Sequence, residues 1–354
     1  MAGTVFVSGG SGYIAGFLIK QLIDEGWMVH TSIRDLGKEA AVRTSLGTDD
    51  NKLKFFAADL TSDKGWAEAM AGCSHVAHVA SPFPPAAPKH EDELIVPARD
   101  GALRALRAAK EAGVSRFVLT SSMAAIAYGH GAADHIVTEA DWTDVNSPDA
   151  YPYVKSKTIA ERAARDWIAA EGGTMEFVSV NPSLVLGPLQ SGDFSTSLEA
   201  IKKLLEGSVP GLPNFGFGIV DVRDVADMHV RCLTAPDMAG ERFICSGPFM
   251  TMSDIAKVLR EGLGKQARKV PTRRLPNWAV RIAALFDPMV RQVLGELGNR
   301  RESPPVHARE KLGWIPRPAD ESILDTARSM IALGIVKVLL FKRSNRAPRR
   351  GCRD

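Results

Sequence analysis

A glycine-rich turn between a short apolar strand and an amphipathic helix constrains the fold of this chain more than any other feature. Val5-Phe6-Val7-Ser8 runs directly into Gly9-Gly10-Ser11-Gly12, and apolar residues then recur at helical spacing from Ile14 to Ile23. Glycine is required where a backbone turns sharply out of a buried strand, or where a phosphate must approach it closely. These residues therefore predict a strand–turn–helix unit whose helix N-terminus faces a pyrophosphate.

Short β-branched runs alternate with longer helical patterns through the first half of the sequence, which is typical of βαβ units and a parallel sheet. We predict an α/β fold with a Rossmann-type, doubly wound parallel sheet and a smaller C-terminal substrate-binding lobe. The predicted strands are Thr4–Ser8, Met28–Ile33, Leu53–Ala57, His75–Val79, Arg116–Thr120, Met175–Val180 and Arg242–Cys245.

The same patterns predict a division into domains. Residues 1–185, with the late strand near 242–245, should form the dinucleotide-binding domain, and the remainder of residues 186–336 should form the substrate-binding lobe. In this lobe, loops rich in Gly and Pro such as Val209–Gly218 are expected to surround isolated helices. Residues 337–354 are predicted to be a basic, disordered tail.

Composition and charge argue against several classes of protein. The 45% hydrophobic and 24% charged fractions are typical of a globular protein. The net charge of +3 reflects residues 342–354, which carry six Arg or Lys against one Asp, so no nucleic-acid-binding face is expected. No signal peptide precedes the first strand, and Lys337 interrupts the apolar run Met330–Phe341, so we expect a cytoplasmic protein without a membrane partner. The four cysteines lack CxxC spacing, which favours reduced thiols and no metal site.

The end of the second predicted strand indicates which dinucleotide is bound. A fold that prefers NAD usually carries an acidic residue there, which binds the ribose hydroxyls. This chain has Arg34-Asp35, with Lys38 close behind. Arg34 and Lys38 suit the 2′-phosphate of NADP, whereas Asp35 as a ribose ligand would suit NAD. We predict NADP (NADPH) as the cofactor.

The residues expected to contact this cofactor lie at the carboxyl ends of the predicted strands. Asp59 and Leu60 should meet the adenine, and the stretch after the fourth strand should line the path to the nicotinamide. From these positions the predicted cofactor-binding residues are Gly9, Ser11, Gly12, Tyr13, Ile14, Arg34, Lys38, Asp59, Leu60, Val79, Ala80 and Ser81.

Two overlapping Tyr-x3-Lys pairs occur in Ala150-Tyr151-Pro152-Tyr153-Val154-Lys155-Ser156-Lys157. Proline is favoured in the first turn of a helix, and the residue before proline is biased away from helical geometry. Tyr151 should therefore lie outside the helix, and Tyr153 and Lys157 should share one helix face. We predict Tyr153 and Lys157 as the catalytic pair.

These residue types suit the reduction of a carbonyl group. Hydride addition leaves an alkoxide that must be protonated, and a tyrosine with a pKa of ~10 is a poor acid near neutrality. A neighbouring ammonium group is expected to lower the pKa of Tyr153, and Lys157 can also hold the nicotinamide ribose. Hydroxyls in Thr120-Ser121-Ser122, at the end of the fifth strand, are candidates for polarising the carbonyl oxygen.

Taken together, these motifs resemble those of the extended short-chain dehydrogenase/reductases over roughly residues 4–336. Within that superfamily the chain is similar to the branch of dihydroflavonol reductase, cinnamoyl-CoA reductase and aldehyde/ketoreductases. The resemblance rests on the motifs already quoted and on three later ones, Asn181-Pro182-Ser183-Leu184-Val185-Leu186-Gly187-Pro188, Val220-Asp221-Val222-Arg223-Asp224-Val225-Ala226 and Leu312-Gly313-Trp314-Ile315-Pro316.

This resemblance implies roles for particular residues. It implies Ser122 as the catalytic hydroxyl, Tyr153 as the acid and Lys157 as its partner. It also implies that the loop from Pro182 to Val185 contacts the nicotinamide, and both residues join the predicted cofactor site. The flavonoid and CoA substrates of that branch are not carried over, because their binding residues have no match in this chain.

The leading hypothesis is therefore an NADPH-dependent reductase of a small aldehyde or ketone, acting as a monomer or homodimer. A sugar-nucleotide epimerase or dehydratase that retains NAD is the main alternative, and Arg34 argues against it. A hydroxysteroid-type dehydrogenase would use the same residues in the oxidative direction. A non-catalytic protein that only senses NADP would have no need of Ser122, Tyr153 and Lys157 together.

Several other features are interpreted as structural. His75 and His78 should point to opposite faces of a strand and make a poor metal pair. His130 and His135 are expected in a surface loop, and the aromatic stretches Phe83-Pro84-Pro85 and Phe215-Gly216-Phe217 suit either a substrate wall or packing between lobes. The apolar run Ile335–Phe341 and the basic residues after it could lie on a membrane surface, but a frayed helix with a solvated tail is favoured.

Overall fold

A seven-stranded parallel sheet forms the centre of the computed structural model, which describes residues 3–48, 51–82, 88–131, 136–192, 196–287, 290–291 and 293–337. In chain order the strands of the structure are β1 (Thr4–Val7), β2 (Met28–Ile33), β3 (Leu53–Ala57), β4 (His75–His78), β5 (Arg116–Thr120), β6 (Glu176–Pro182), β7 (Leu184–Leu186), β8 (Gly216–Asp221), β9 (Arg242–Cys245) and β10 (Phe249–Thr251). The spatial order in the seven-stranded sheet is β3-β2-β1-β4-β5-β6-β9. Parallel pairing runs throughout this sheet, with Val5 opposite Val29 on one side and opposite His75 on the other.

Helices cover both faces of this sheet, as a parallel sheet requires. On one face Val5 and Val7 pack with residues of the first and seventh helices, and on the other Phe6 and Phe117 pack with residues of the third, fourth and fifth. The helices are α1 (Tyr13–Asp24), α2 (Glu39–Leu46), α3 (Trp66–Met70), α4 (Asp92–Glu111), α5 (Pro152–Glu171), α6 (Glu199–Glu206), α7 (Val222–Thr234), α8 (Met252–Leu263), α9 (Asn277–Ala283), α10 (Val306–Leu312) and α11 (Ala319–Ala332).

A second, three-stranded sheet of order β10-β8-β7 lies in the later part of the chain. Its own core contains Leu186 and Ile219 together with apolar residues of α6, α8 and α11. The expectation of a loop over Val209–Gly218 is wrong at its end, because Gly216–Gly218 begin β8. Glycine is forced there by space: a Cβ on Gly216 would lie 2.2 Å from the carbonyl oxygen of Met250 on the paired strand.

The predicted Rossmann-type order and all seven strands of the main sheet are confirmed, with ends that differ by at most two residues. The predicted domain boundary at residue 185 stays a prediction; it falls within β7. Phe83-Pro84-Pro85, His135 and the tail beyond Lys337 lie outside the described residues. Across the part of the chain that the structure describes, every helix is too short or too polar to cross a membrane.

Gly65, which precedes α3, provides a test of the backbone geometry. Its φ is +85°, and a Cβ there would lie 1.8 Å from the carbonyl oxygen of Ala57. We expect Gly65→Ala to lower the free energy of unfolding by about 3 kcal/mol or more. Gly72 also has a positive φ, +72°, but an added Cβ meets nothing within 4 Å. Gly72→Ala should cost only about 1–2 kcal/mol in urea denaturation, and equal losses would contradict this account.

Candidate active site

The glycine turn after β1 is fixed by hydrogen bonds to the end of β2. The amide N of Gly9, with φ +73°, donates to Ser32 Oγ at 3.0 Å, and the amide N of Gly10 donates to the Ser32 carbonyl at 2.8 Å. A Cβ on Gly10 would lie 2.3 Å from Thr31 Oγ1, so a larger residue would push the turn away from β2. The turn therefore packs directly against the neighbouring strand.

Helix α1 begins immediately after this turn without a side-chain cap. Its N-cap is Gly12, and its first turn contains no acidic residue. The amide of Gly16 makes the first intrahelical bond, to Gly12, so the geometry leaves the amides of Tyr13, Ile14 and Ala15 without intrahelical acceptors. Ser11 and Gly12 are exposed. Such an end suits a pyrophosphate.

The side chain of Tyr13 packs into the protein interior, although its backbone starts α1. Its ring packs against both the main core and the core of the second sheet. Its hydroxyl is buried without a hydrogen-bond partner, and burial together with the Asp221 carboxylate raises its pKa well above the ordinary value. What Tyr13 offers to a dinucleotide is its backbone amide.

Ser8 organises the stretch that follows β4. Its hydroxyl accepts the amides of Val79 and Ala80, each at 2.9 Å, and lies 3.1 Å from His78 Nδ1. Because the two amides occupy the oxygen, the hydroxyl proton is left for His78. Burial, with the nearby Lys157 charge, lowers the pKa of His78 to about 3, so this histidine is neutral. Val79, Ala80 and Ser81 are thereby held beside the glycine turn.

Arg34 and Lys38 are both exposed beyond the end of β2. Asp35, between them, caps the 3-10 turn Leu36–Lys38, and its Oδ1 accepts the amide of Gly37 at 2.9 Å. The Asp35 carboxylate is thus engaged by its own backbone, while the two cations face solvent.

Asp59 and Leu60 follow β3 close to Arg34. Hydrogen bonds from Thr61 lower the pKa of Asp59, with a further contribution from the Arg34 charge. Leu60 packs on α4, where a Cβ on Gly101 would lie 2.9 Å from it. The structure therefore brings Arg34 close to Asp59, next to Leu60, and the contact of these residues with the adenosine end of the cofactor stays a prediction.

The start of α5 separates the two Tyr-x3-Lys pairs. Tyr151 is the N-cap with extended backbone and Pro152 is the first helical residue, which confirms the predicted helix start. Lys155 turns away and pairs with Glu91 at 2.7 Å. Tyr153 and Lys157, one turn apart on the same face, are the pair that reaches the end of β5.

Ser122 lies at that end and is hydrogen-bonded to Tyr153 through the side chains. Ser122 Oγ also accepts the amide of Ala124 at 3.1 Å, which starts the 3-10 turn Met123–Ala125 and fixes the serine. The structure therefore assembles Ser122, Tyr153 and Lys157 at one point, next to the carboxyl ends of β4 and β5.

The expected lowering of the Tyr153 pKa is not found in the polypeptide alone. Burial raises the pKa of this phenol, and the hydrogen bond from Ser122 opposes the shift only in part. Burial also lowers the pKa of Lys157 to about 8, while the Glu161 carboxylate acts in the opposite direction. Desolvation is the largest influence on both groups, and it opposes the effect expected from the ammonium charge.

Glu161, which the sequence analysis missed, is a fully buried carboxylate one turn beyond Lys157. It accepts hydrogen bonds from neutral side chains after β5 and on β6 and from two arginines, which hold its pKa below the ordinary value. The donors are Ser121 Oγ (2.5 Å), Ser179 Oγ (2.9 Å), Asn181 Nδ2 (2.8 Å), Arg242 Nε (2.8 Å) and Arg165 Nε (3.3 Å). Asn181 Nδ2 also donates to the Ser122 carbonyl at 3.0 Å, which connects the carboxylate to Ser122.

Arg242, on β9, extends this hydrogen-bond network to the loop that follows Ser122. Its guanidinium donates to the carbonyls of Glu139 (3.0 Å) and Asp141 (2.5 Å) and to that of Ala125 (3.2 Å). It also lies over the ring of Trp142, 3.8 Å from the centroid. The loop that follows Ser122 is therefore bound to the main sheet through one buried arginine.

A second buried cluster, also missed, links the catalytic helix to the later part of the chain. Tyr128 donates to Glu296 Oε1 at 2.6 Å, and Arg301 pairs with both Glu296 and Asp149. Tyr151 is hydrogen-bonded to Tyr128 and its ring is stacked near that of Tyr153, with centroids 6.4 Å apart. Residues 295–301 thus form one wall against Tyr128 and against Asp149, which precedes α5.

The loop predicted from Pro182 to Val185 is wrong in its extent, because Pro182 ends β6, Val185 lies within β7 and only Ser183 stands between the two strands. Val185 is buried in the main core, whereas two polar atoms of this loop, Asn181 Oδ1 and Ser183 Oγ, are buried without a partner. Buried polar atoms are normally satisfied. Donors and acceptors of a bound molecule, such as a carboxamide, would satisfy these two.

Features interpreted as structural have ordinary partners in the fold. His75 packs against Trp27, and His130 Nε2 lies 2.6 Å from the Ile126 carbonyl. Among the described residues no group of three or more His, Cys, Asp or Glu side chains is placed to hold a metal. Cys73 is buried as a free thiol with its pKa raised to about 12 by burial, and Cys232 and Cys245 are buried likewise.

The sheet order, the glycine turn and the Ser-Tyr-Lys arrangement define a dinucleotide-dependent enzyme of the extended short-chain dehydrogenase/reductase class. The chain belongs to the NAD dependent epimerase/dehydratase family, whose model matches residues 5–245. The resemblance stated from the motifs is thereby confirmed.

Named relatives and a solved structure show where in this class the chain lies. Dihydroflavonol 4-reductase of Gerbera hybrida is 31% identical over 266 residues, which cover 73% of this chain and 72% of the relative. Cinnamoyl-CoA reductase CAD2 of Medicago truncatula is 34% identical over 268 residues, which cover 74% and 81%. Yeast methylglyoxal/isovaleraldehyde reductase Gre2, complexed with NADPH, superposes with a TM-score of 0.79 at 25% identity and covers 94% of this chain and 99% of its own. All three are reductases.

The contribution of Glu161 to the structure around the site can be tested by measuring the free energy of unfolding. Glu161→Gln leaves Arg242 buried without its counter-charge, and we expect a loss of about 3–5 kcal/mol in the free energy of unfolding. Glu171→Gln is the matched control, because Glu171 ends the same helix in an exposed pair with Lys110. This control should change stability by less than about 1 kcal/mol in urea denaturation, and similar losses for both variants would contradict the interpretation.

Proposed function

We propose that this protein catalyses the NADPH-dependent reduction of an aldehyde or ketone to an alcohol. The observation that carries the proposal is the hydrogen bond between Ser122 and Tyr153, with Lys157 buried one turn away on the same helix face. The names of the relatives support the direction of the reaction, since each is a reductase, and the yeast structure contains NADPH.

The residues present suit NADPH. The amides at the start of α1 would hold the pyrophosphate, and Arg34 and Lys38 would hold the 2′-phosphate. Asp35 favours the phosphorylated dinucleotide indirectly, because its Oδ1 is engaged by Gly37. Asn181 Oδ1 and Ser183 Oγ, buried and without partners, would receive the carboxamide end.

When bound, NADPH supplies a hydride to the carbonyl carbon, and the remaining steps fall to the side chains of this chain. The Ser122 and Tyr153 hydroxyls would hold the carbonyl oxygen, where negative charge develops. Tyr153 would then give its proton to that oxygen. Lys157, cationic below its pKa of about 8, would stabilise the resulting phenolate.

Epimerase or dehydratase activity with retained NAD is the alternative that the family name keeps open. The exposed pair Arg34 and Lys38 and the engaged carboxylate of Asp35 favour the reductase. The monomeric or homodimeric state stays a prediction, and so does a hydroxysteroid-type reaction in the oxidative direction. The substrate is predicted only as an aldehyde or ketone.

The reaction is tested by following NADPH absorbance with a panel of aldehydes, α-keto esters and ketones. Tyr153→Phe should lower kcat about a thousandfold, because the acid is removed. Tyr151→Phe is the matched control, since it removes the hydroxyl of the neighbouring, stacked ring and should retain activity within about tenfold. Equal loss in both variants, or full activity of Tyr153→Phe, would contradict the assignment. NAD retained through purification, with no turnover of any carbonyl, would favour the epimerase.

The cofactor preference has its own test in Arg34. Arg34→Ser removes a charge-assisted contact to the 2′-phosphate, and we expect KM for NADPH to rise about tenfold or more while KM for NADH changes little. Lys20→Ser is the control, because Lys20 is an exposed cation on α1. Steady-state kinetics with both dinucleotides measures the ratio, and an unchanged ratio would show that Arg34 is only a solvated charge.

A further inference from the structure

Helix α9 and the turn that follows it present large apolar side chains to solvent. Trp278, Ile282, Leu285 and Phe286 are 66%, 51%, 70% and 83% exposed. They follow one another at positions i, i+4, i+7 and i+8, and backbone hydrogen bonds continue the helical turn as far as Phe286. We call these four residues the α9 apolar face.

The opposite side of the same helix is also apolar. Val280 and Ala284, four residues apart, are 6% and 2% exposed and anchor the helix to the protein. A surface helix ordinarily buries one apolar face and turns polar residues outward. An exposed face formed by Trp, Ile, Leu and Phe therefore indicates a site of interaction with another molecule.

The segment around this face is strongly basic. Residues 265–291 contain seven Lys or Arg against one Asp, although the whole chain has a net charge of only +3. All seven cations are exposed: Lys265, Arg268, Lys269, Arg273, Arg274, Arg281 and Arg291. Arg281 lies on α9 itself, between Trp278 and Ile282 in the helical turn. The partner of this surface must therefore offer negative charge as well as an apolar layer.

We propose that the α9 apolar face and the exposed cations of residues 265–291 bind the surface of an anionic lipid bilayer. Trp, Leu and Phe side chains enter the boundary between headgroups and acyl chains, and arginines and lysines pair with anionic headgroups. This differs from the expectation, drawn from the sequence, of no membrane partner. It is compatible with the described helices being unable to cross a bilayer, because α9 would lie in the interface.

The surface adjoins the wall beside the catalytic helix. Asn277, the first residue of α9, lies 4.0 Å from the position that a Cβ on Gly298 would take, and Glu296 in the same wall binds Tyr128. Bilayer binding would place that wall near the lipid. The proposal itself does not depend on the reaction, since vesicle binding is measured without turnover.

Sedimentation of the full chain with vesicles tests the proposal. We expect binding to phosphatidylcholine vesicles that contain one quarter phosphatidylglycerol, weaker binding at high salt and none to phosphatidylcholine alone. Leu285→Ser with Phe286→Ser should weaken binding about tenfold or more, and Arg273→Ser with Arg274→Ser should do so at low salt. Ile315→Ser is the matched control, because Ile315 is 70% exposed outside this surface.

Four results would overturn the proposal. The first is no binding to the anionic vesicles. The second is binding that survives the α9 substitutions and is lost on Arg349→Ser with Arg350→Ser, which would assign it to the C-terminal residues. The third is a dimer in solution that Phe286→Ser converts to a monomer, which would make α9 a subunit contact. The fourth is binding to duplex DNA, insensitive to Leu285→Ser, without vesicle binding. Unchanged circular dichroism of each variant establishes that it is folded.

Discussion

The arrangement of the site depends on the burial of one carboxylate, that of Glu161. An anion removed from water is tolerated only where donors surround it, and here they come from Ser121 after β5 and from β6, β9 and α5. These donors connect their elements to one another through the carboxylate. The Ser122 backbone and the loop held by Arg242 are consequently positioned by this one group, whose charge also acts on the Lys157 ammonium.

Most of the fold could be predicted because buried parallel strands appear in the sequence as short runs of apolar residues. The runs at Met28–Ile33 and Arg116–Thr120 gave both ends of their strands correctly. The small sheet escaped prediction because Gly216 and Gly218, which other sequences use in turns, are here the only residues that fit beside their neighbours. Glycine is needed at these two positions because Met250 and Ser246 lie so close, and no local sequence pattern contains that distance.

The candidate site was predictable where one local rule sufficed. Pro152 fixed the helix start and so separated Tyr153 from Tyr151. Glu161, by contrast, binds Arg242 across 81 residues of sequence, and Tyr128 binds Glu296 across 168. One usable signal was present, because Glu161 continues the Tyr153–Lys157 face by another helical turn. The directions of the pKa shifts of Tyr153 and Lys157 could not be predicted from the sequence, since they follow from the burial of these side chains.

The position of Tyr13 has a consequence for how the chain can be recombined. Its backbone starts α1 directly after the glycine turn, whereas its ring is packed into the cores of both sheets, with its hydroxyl near Asp221. The two halves of the molecule are therefore not interchangeable modules. A chimera that grafts the later half of a related enzyme onto this first half must also recreate the cavity for the Tyr13 ring, or the graft will displace the glycine turn.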